Sequence, residues 1–220
     1  GYNALAIDLP GHGRSGGDAL ATIQALGDFL AELIHVVGCG PAHLVGHSMG
    51  ALSSLQCALA HAELVRGMVL CGAADAMPVH PALLAAAEAN DIKAAELIAS
   101  WGHGAPAHRG GNPVHGVWML AAAVRLLDRT PAGVLHKDLV ACNDFGSAAE
   151  VAADVKCPVL LLMGQMDKMA PPRGAGGLLA QLPDVQCEVI AGSGHMMMAE
   201  APVKTRQALM SFFGKTATEG

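Results

Sequence analysis

A serine, Ser48, stands at the centre of residues 46–50, which read Gly-His-Ser-Met-Gly. The Gly-X-Ser-X-Gly pattern is typical of a nucleophilic serine held on a sharp turn between a strand and a helix. Residues 42–46 read as a strand and residues 49–61 as a helix, so the pattern lies in the context that this chemistry requires. At a helix N-terminus, the Met49 N–H would face a developing oxyanion. We therefore predict Ser48 as a nucleophile and the Met49 N–H as an oxyanion donor.

A serine hydroxyl is a weak nucleophile at neutral pH, so Ser48 needs a base and a group that orients the base. Two later strand ends supply these residue types. Asp167 follows the apolar run 159–163, and His195 follows the run 186–190 in a Gly-rich turn. Because parallel strands end on one edge of a sheet, we expect these distant side chains to converge there. The order Ser, Asp, His predicts His195 as the general base and Asp167 as the acid that orients it.

Strand-like and helix-like segments alternate along most of the chain, which favours a parallel sheet flanked by helices. The alternation stops at residues 75–147, where only helical patterns occur, and we expect a helical cap insert there. The predicted fold class is α/β, with a doubly wound, mostly parallel sheet built from residues 1–74 and 148–220. The predicted strands are residues 2–7, 42–46, 65–71, 159–163 and 186–190. The predicted helices are residues 20–37, 49–61, 177–182 and 203–213 in the core, and 82–101, 116–127 and 132–142 in the insert.

These features together resemble the α/β-hydrolase fold family, whose nucleophile, acid and base follow one another in the same order. Residues 8–15, DLPGHGRS, are similar to the family's turn after its fourth strand, and Glu200 and Pro202 are similar to its stretch before the last helix. The resemblance covers nearly all 220 residues and implies that the insert caps an active site. It also implies an alternative acid, since some relatives place that residue after the sixth strand, where Asp75 stands.

The resemblance predicts a difficulty at the first strand. Family members begin with further strands, and the loop after the third supplies a second oxyanion donor. Without that strand, the predicted strands 2–7 and 42–46 would lie two strand spacings apart, about 9.6 Å, too far to hydrogen-bond. We therefore expect either a fragment of a longer chain or a first strand that moves over. A fragment would expose an apolar edge beside Leu44 and Val45 and would self-associate as a homo-oligomer.

His47 and His12 are further candidates for contact with an oxyanion or a substrate. Each also has a structural interpretation, His47 as a buried packing residue and His12 as a turn residue with local hydrogen bonds. Three more histidines, His103, His108 and His115, lie in a Gly-rich part of the insert but lack the spacing of metal ligands. We therefore expect no metal and no cofactor.

Charge and hydropathy exclude two classes of partner. The chain has 13 Lys plus Arg against 19 Asp plus Glu, a formal net charge of −6, and no basic run that would match a phosphate backbone. No apolar run approaches the ~18 residues that a membrane-spanning helix needs. We predict neither nucleic-acid binding nor membrane insertion. The six cysteines are widely spaced with no CxxC pair, which favours free thiols and a cytoplasmic location.

The resemblance implies a serine hydrolase that cleaves a small, fairly apolar ester, lactone or thioester through an acyl-enzyme on Ser48. The apolar substrate class is expected because the insert helices are rich in Ala, Leu, Val and Met. A serine at position 48 argues against the family branches that use an aspartate nucleophile. Two alternatives remain: a catalytically weak ligand-binding or interaction protein on the same scaffold, and a C–C bond hydrolase or perhydrolase.

Overall fold

A four-stranded parallel sheet forms the centre of the protein. The computed structural model describes residues 2–113 and 115–216. The strands pair in chain order, β1-β2-β3-β4, and every pairing is parallel, which confirms the predicted α/β class. Their bounds are Ala42–His47 (β1), Val65–Cys71 (β2), Val159–Gly164 (β3) and Val185–Ile190 (β4).

Eleven α-helices occur in the described residues, and most lie within a few residues of the predicted positions. Short 3₁₀ turns precede β2 and β3 and follow the β3 end. The helices are Ile23–Val37 (α1), Met49–Ala60 (α2), Pro81–Glu88 (α3), Ile92–Gly102 (α4), Ala105–His108 (α5), Met119–Leu127 (α6), Val134–Asp144 (α7), Ala148–Val151 (α8), Gly176–Gln181 (α9), Met197–Glu200 (α10) and Pro202–Thr216 (α11).

Helices cover both faces of the sheet, as a doubly wound fold requires. Successive strand residues point to opposite faces. Met68 and Leu70 of β2 therefore belong to a large apolar cluster with α1, α2 and α9. Val69 of β2 belongs to a second cluster on the other face, where Phe212 of α11 is 1% exposed. The central strands β2 and β3 are thus largely buried, and the carboxyl ends of the strands are the positions at which polar residues can reach a site.

The predicted strand at residues 2–7 does not form, so that prediction is wrong. These residues have no regular secondary structure, and Leu5 is 64% exposed. In the described sheet β1 is an edge strand, so no ladder includes this segment. The ring of Tyr2 instead packs on Phe213 of α11, with ring centroids 5.4 Å apart. An apolar run becomes a strand only when a neighbouring strand accepts its backbone hydrogen bonds.

Within the predicted insert, residues 75–147, the described part of the chain forms five helices, α3 to α7, and an isolated antiparallel bridge joins Ala76 to Ser147. The single helix predicted for residues 82–101 is wrong, because this segment is divided into α3 and α4. Asn90 between them has a φ of 52°, and the Asp91 side chain accepts a hydrogen bond from the Lys93 N–H at 2.9 Å. Asn and Asp compete with helical hydrogen bonding in this way and favour turns and helix starts.

All six cysteines are free thiols, as predicted, and only Cys39 and Cys187 are exposed. Burial raises the pKa of the Cys71 and Cys142 thiols to about 12. Buried, protonated thiols are poor nucleophiles, so these cysteines do not compete with Ser48 as candidates. Across residues 2–113 and 115–216, no helix is both long and apolar enough to cross a membrane.

Self-association through the β1 edge stays a prediction. Val45 is 51% exposed on this strand, and β1 carries no Lys, Arg, Asp or Glu. Charged residues on an edge strand prevent pairing with other chains. We expect concentration-dependent association of the parent chain in sedimentation velocity, and a shift towards monomer in Val45→Lys. A parent chain that sediments as a monomer at all concentrations would contradict this prediction.

Candidate active site

Ser48 lies on a strained turn between β1 and α2. Its φ of 53° and ψ of −116° are unusual for a residue other than glycine, and such strain is typical of functional turns. The Ser48 N–H donates to the carbonyl of Cys71 at 2.9 Å. A Cβ atom on Gly46 would collide with the carbonyl oxygen of Gly50. Glycine at position 46 therefore allows the strand and the helix to approach closely enough for this turn, whereas a Cβ atom on Gly50 would have no neighbour within 4 Å.

The N-terminus of α2 begins at Met49, directly after the serine. The first N–H groups of an α-helix have no acceptor within the helix, and the helix dipole favours negative charge there. The Met49 N–H is thus at the helix start, and its role as an oxyanion donor stays a prediction.

His195 and Asp167 form a buried hydrogen-bonded pair. The His195 Nδ1–H donates to Asp167 Oδ2 at 2.7 Å, and the two side chains are 1% and 0% exposed. The two residues lie on the loops that follow β4 and β3, as the strand-end argument predicts. Because Nδ1 holds the proton shared with Asp167, the lone pair of Nε2 is free to accept one.

Asp167 keeps its negative charge although it is buried. Burial is the largest single effect on its pKa and raises it, but hydrogen bonds and charge from His195 and backbone N–H groups lower it more. Its second oxygen, Oδ1, accepts the N–H groups of Met169 and Ala170, both at 2.8 Å. The pKa of Asp167 is therefore below its ordinary value, and the carboxylate can stabilise a protonated imidazole.

The end of β2 contacts both the Ser48 backbone and the His195 ring. The Ser48 N–H is bonded to Cys71, and the next residue, Gly72, lies against the His195 ring. A Cβ atom on Gly72 would be 2.8 Å from both Nδ1 and Cε1 of that ring, so a larger residue would displace it. Among the described residues, Nε2 of His195 is buried and has no hydrogen-bond partner. Catalytic hydrogen bonds are often long before substrate binds.

His47, the residue before the nucleophile candidate, supports the His195 loop. Its Nε2–H donates to the backbone carbonyl of His195 at 2.9 Å, and the two rings have centroids 4.5 Å apart. Burial, and then the nearby charge of His195, lower the pKa of His47 to about 4. The ring is therefore neutral at neutral pH. Its contact with a substrate or oxyanion stays a prediction.

His12 connects the 8–15 turn to the insert. Its Nδ1 lies 3.0 Å from the carbonyl of Pro10, and its Nε2 lies 2.8 Å from a carboxylate oxygen of Asp138 in α7. Burial is the largest effect on the His12 pKa and lowers it, but Asp138 and Pro10 together raise it above its ordinary value. Two acceptors suit a doubly protonated ring. The predicted contact of His12 with substrate stays a prediction.

Asp75, the alternative acid, binds backbone N–H groups at the start of α9. Its two carboxylate oxygens accept the N–H groups of Gly177 and Leu178 at 2.8 Å each. It thereby caps the start of α9, where a negative charge is favourable.

Metal-ligand clusters are absent from the described residues, which contain no group of three His, Cys, Asp or Glu side chains suited to one. In the insert, His103 and His108 contact the backbone carbonyls of Ala99 and Ser100. These side chains therefore hold the insert's own turns.

Three features of the site are not predicted from the sequence: the position of Gly72 against His195, the contact of Asp138 with His12, and the two backbone hydrogen bonds of Glu200. Gly72 follows a predicted strand, so its position was a usable signal. Asp138 lies 126 residues from His12, and no local pattern connects the two. Glu200 accepts the N–H groups of Gly194 and Gly104, each at 2.8 Å, and the second partner lies 96 residues away.

The alpha/beta hydrolase family model matches residues 1–208, so the chain belongs to this family. It is 30% identical to the 2-(acetamidomethylene)succinate hydrolase of Mesorhizobium japonicum, over 96% of this chain and 78% of that protein. It is 25% identical to the (E)-2-((N-methylformamido)methylene)succinate hydrolase of Acinetobacter baylyi, over 98% and 81%. A solved thermophilic esterase superposes with a TM-score of 0.80 at 27% identity, covering 95% of this chain and 79% of the esterase. The relatives support a hydrolase.

We expect mutation of the two candidate acids to affect different properties, kcat for Asp167 and stability for Asp75. Asp167→Asn removes the charge beside His195 and leaves an amide that cannot fix the same tautomer, so we expect kcat to fall about 10⁴-fold. Asp75→Asn weakens a helix cap, so we expect about 1 kcal/mol lower stability and nearly unchanged kcat. Hydrolysis of p-nitrophenyl acetate and urea unfolding measure both effects. A large loss of kcat in Asp75→Asn alone would reverse the assignment.

His47 makes stability depend on pH. Its pKa is about 4 in the folded protein against an ordinary value of 6.5, so the unfolded chain binds the proton more readily. The stabilisation is full above about pH 6.5 and is lost as the pH falls towards 4, by up to about 3 kcal/mol. In His47→Gln the amide still donates to His195 but does not titrate, so we expect a smaller loss in urea unfolding across this range. The control is His35→Gln at an exposed position, which should lose as much unfolding free energy as the parent between pH 6.5 and 4. Equal losses in the parent and both variants would refute the prediction.

Proposed function

We propose that this protein is a serine hydrolase of the carboxylesterase type, with Ser48 as nucleophile, His195 as general base and Asp167 as the orienting acid. The observation that carries the proposal is the buried Asp167–His195 hydrogen bond of 2.7 Å beside a strained serine turn. Family membership supports a hydrolase, and the esterase with the same fold supports ester chemistry.

The first half of the reaction forms an acyl-enzyme. Ser48 Oγ attacks the substrate carbonyl carbon, and its proton passes to Nε2 of His195. The carbonyl electrons move onto oxygen, which the Met49 N–H stabilises as an oxyanion. When the oxyanion collapses, the bond to the leaving group breaks and the leaving group takes the proton from Nε2.

The second half returns the enzyme to its starting state. Water loses a proton to Nε2 of His195 as its oxygen attacks the acyl carbon. The tetrahedral species expels Ser48 Oγ, which regains the proton from His195, and the carboxylic acid leaves. Asp167 stays ionised throughout and stabilises the imidazolium in both halves, which its lowered pKa favours.

The proposed substrate is a small, fairly apolar ester, lactone or thioester. The apolar class rests on the composition of the insert, whose helices are rich in Ala, Leu, Val and Met. The names of the two curated relatives specify substituted succinates, which are anionic. Comparing neutral acyl esters with succinate half-esters as substrates therefore distinguishes the proposed class from the relatives' class.

The nucleophile is tested with a fluorophosphonate probe and with p-nitrophenyl acetate. We expect the probe to label Ser48 and the ester to release a burst of one equivalent of p-nitrophenol when deacylation is slow. Ser48→Ala should lose labelling and about 10⁶-fold in kcat, because the whole covalent route depends on this hydroxyl. Ser211→Ala, at an exposed position of α11, is the matched control.

Labelling and turnover also separate this proposal from a ligand-binding protein on the same scaffold. If Ser48→Ala turned the ester over at the parent rate, the acyl-enzyme mechanism would be excluded. A parent chain that neither reacts with the probe nor hydrolyses any acyl ester would favour the binding protein.

A further inference from the structure

We infer that Glu200 is a positioning residue for His195, and that through it the insert helps to hold the base in place. This inference rests on the proposed function, because it assigns Glu200 a part in the action of His195. Glu200 is the last residue of α10 and touches neither Ser48 nor the His195 ring in any described hydrogen bond. Its effect must therefore pass through the backbone.

The Glu200 carboxylate bridges two separate segments. Oε1 accepts the N–H of Gly194, the residue immediately before His195, at 2.8 Å. Oε2 accepts the N–H of Gly104, at the junction of α4 and α5 in the insert, also at 2.8 Å. Hydrogen bonds to an ionised carboxylate are about twice as strong as those between neutral groups. The Glu200 side chain thus connects the His195 loop to the insert, with one carboxylate oxygen bonded to each segment.

The residue after His195 is tied to the same junction. The Met196 N–H donates to the carbonyl of Gly102 at 3.0 Å. His195 therefore lies between two residues whose backbone N–H groups are both held, one by Glu200 and one directly by the end of α4. This arrangement restricts the backbone that sets the direction of the His195 side chain.

Glycine on both segments makes the contact close. A Cβ atom on Gly194 would lie 2.6 Å from the Gly104 nitrogen and 2.9 Å from the Gly102 carbonyl oxygen. A Cβ atom on Gly104 would lie 3.1 Å from Glu200 Oε2 and 3.2 Å from the Gly194 nitrogen. The two backbones are in direct contact, so a displacement of the α4–α5 junction would be transmitted to the His195 loop.

The opposite side of the loop is held by the sheet. The Met166 N–H, just after β3, donates to the carbonyl of Ser193 at 2.7 Å, and His47 holds the carbonyl of His195. The insert side has Glu200 as its only side-chain acceptor among the described hydrogen bonds. Removing this carboxylate should therefore let the loop move on that side while Asp167 still binds the ring.

The test compares Glu200→Gln and Glu200→Ala with Glu188→Gln, which makes the same change at an exposed residue of β4. Glutamine has one acceptor oxygen, so it can keep one of the two hydrogen bonds, and its NH₂ would face the other backbone N–H. We expect kcat for p-nitrophenyl acetate to fall about 10-fold in Glu200→Gln and about 100-fold in Glu200→Ala, with KM within about twofold, since small misplacements of a catalytic group are costly. Glu188→Gln should match the parent.

A spectroscopic measurement separates positioning from general destabilisation. The Nδ1–H of His195 should give a far-downfield proton resonance, assigned by its loss in Asp167→Asn. We expect this resonance to broaden in both Glu200 variants and to stay sharp in Glu188→Gln, with circular dichroism confirming that all variants are folded. An unchanged resonance and unchanged kcat in folded Glu200→Gln would overturn the inference.

Gly104→Ala provides a second test if the Glu200 variants do not fold. The added methyl group pushes the two segments apart by a few tenths of an ångström while Glu200 keeps its charge. We expect kcat to fall a few fold and the His195 Nδ1–H resonance to broaden. If both kcat and the resonance of Gly104→Ala matched the parent, the inference would be overturned. If the parent itself fails to react with the fluorophosphonate, the proposed function fails, while the resonance still reports whether Glu200 holds His195.

Discussion

A buried carboxylate that stays ionised is the constraint on which the site depends. Isolated charge in a protein interior is unfavourable by several kcal/mol unless hydrogen bonds replace the lost water. Asp167 receives three, from the His195 ring and from the N–H groups of Met169 and Ala170. Two of these come from its own turn, and only the third requires a distant residue. The fold must therefore bring His195 to this point, and once it does, the same bond selects the tautomer with a free Nε2.

Close backbone approach is what makes the convergence possible. The ends of the parallel strands lie on one edge of the sheet, but their loops must still come within contact distance. A Cβ atom on Gly164, at the end of β3, would collide with the carbonyl of Gly194. Gly72 provides space for the His195 ring in the same way. Glycine at these positions removes side-chain volume between segments that must touch, and the strain at Ser48 is maintained by the packed elements around it.

Much of this architecture could be predicted because it depends on local pattern. The four strands that form are short apolar runs ending in turn residues, and Ser48, Asp167 and His195 each follow one of these runs. Two elements were predicted incorrectly for different reasons. Residues 2–7 have the apolar composition of a strand but no partner in the described sheet. Residues 82–101 have helical periodicity, yet Asn90 and Asp91 form a turn and a new helix start within it.

The amino-acid sequence by itself determined the parallel α/β class, the serine turn and the order of the three candidate residues, because each depends on residues that are neighbours along the chain. Only the tertiary structure showed which of Asp167 and Asp75 contacts His195, since both follow strands and both are carboxylates. Asp167 lies 2.7 Å from His195, and Asp75 caps α9. The contacts of His12 with Asp138 and of Glu200 with Gly104 span 126 and 96 residues. Such contacts arise from chain packing in three dimensions, and no local periodicity or spacing specifies which distant segments will meet.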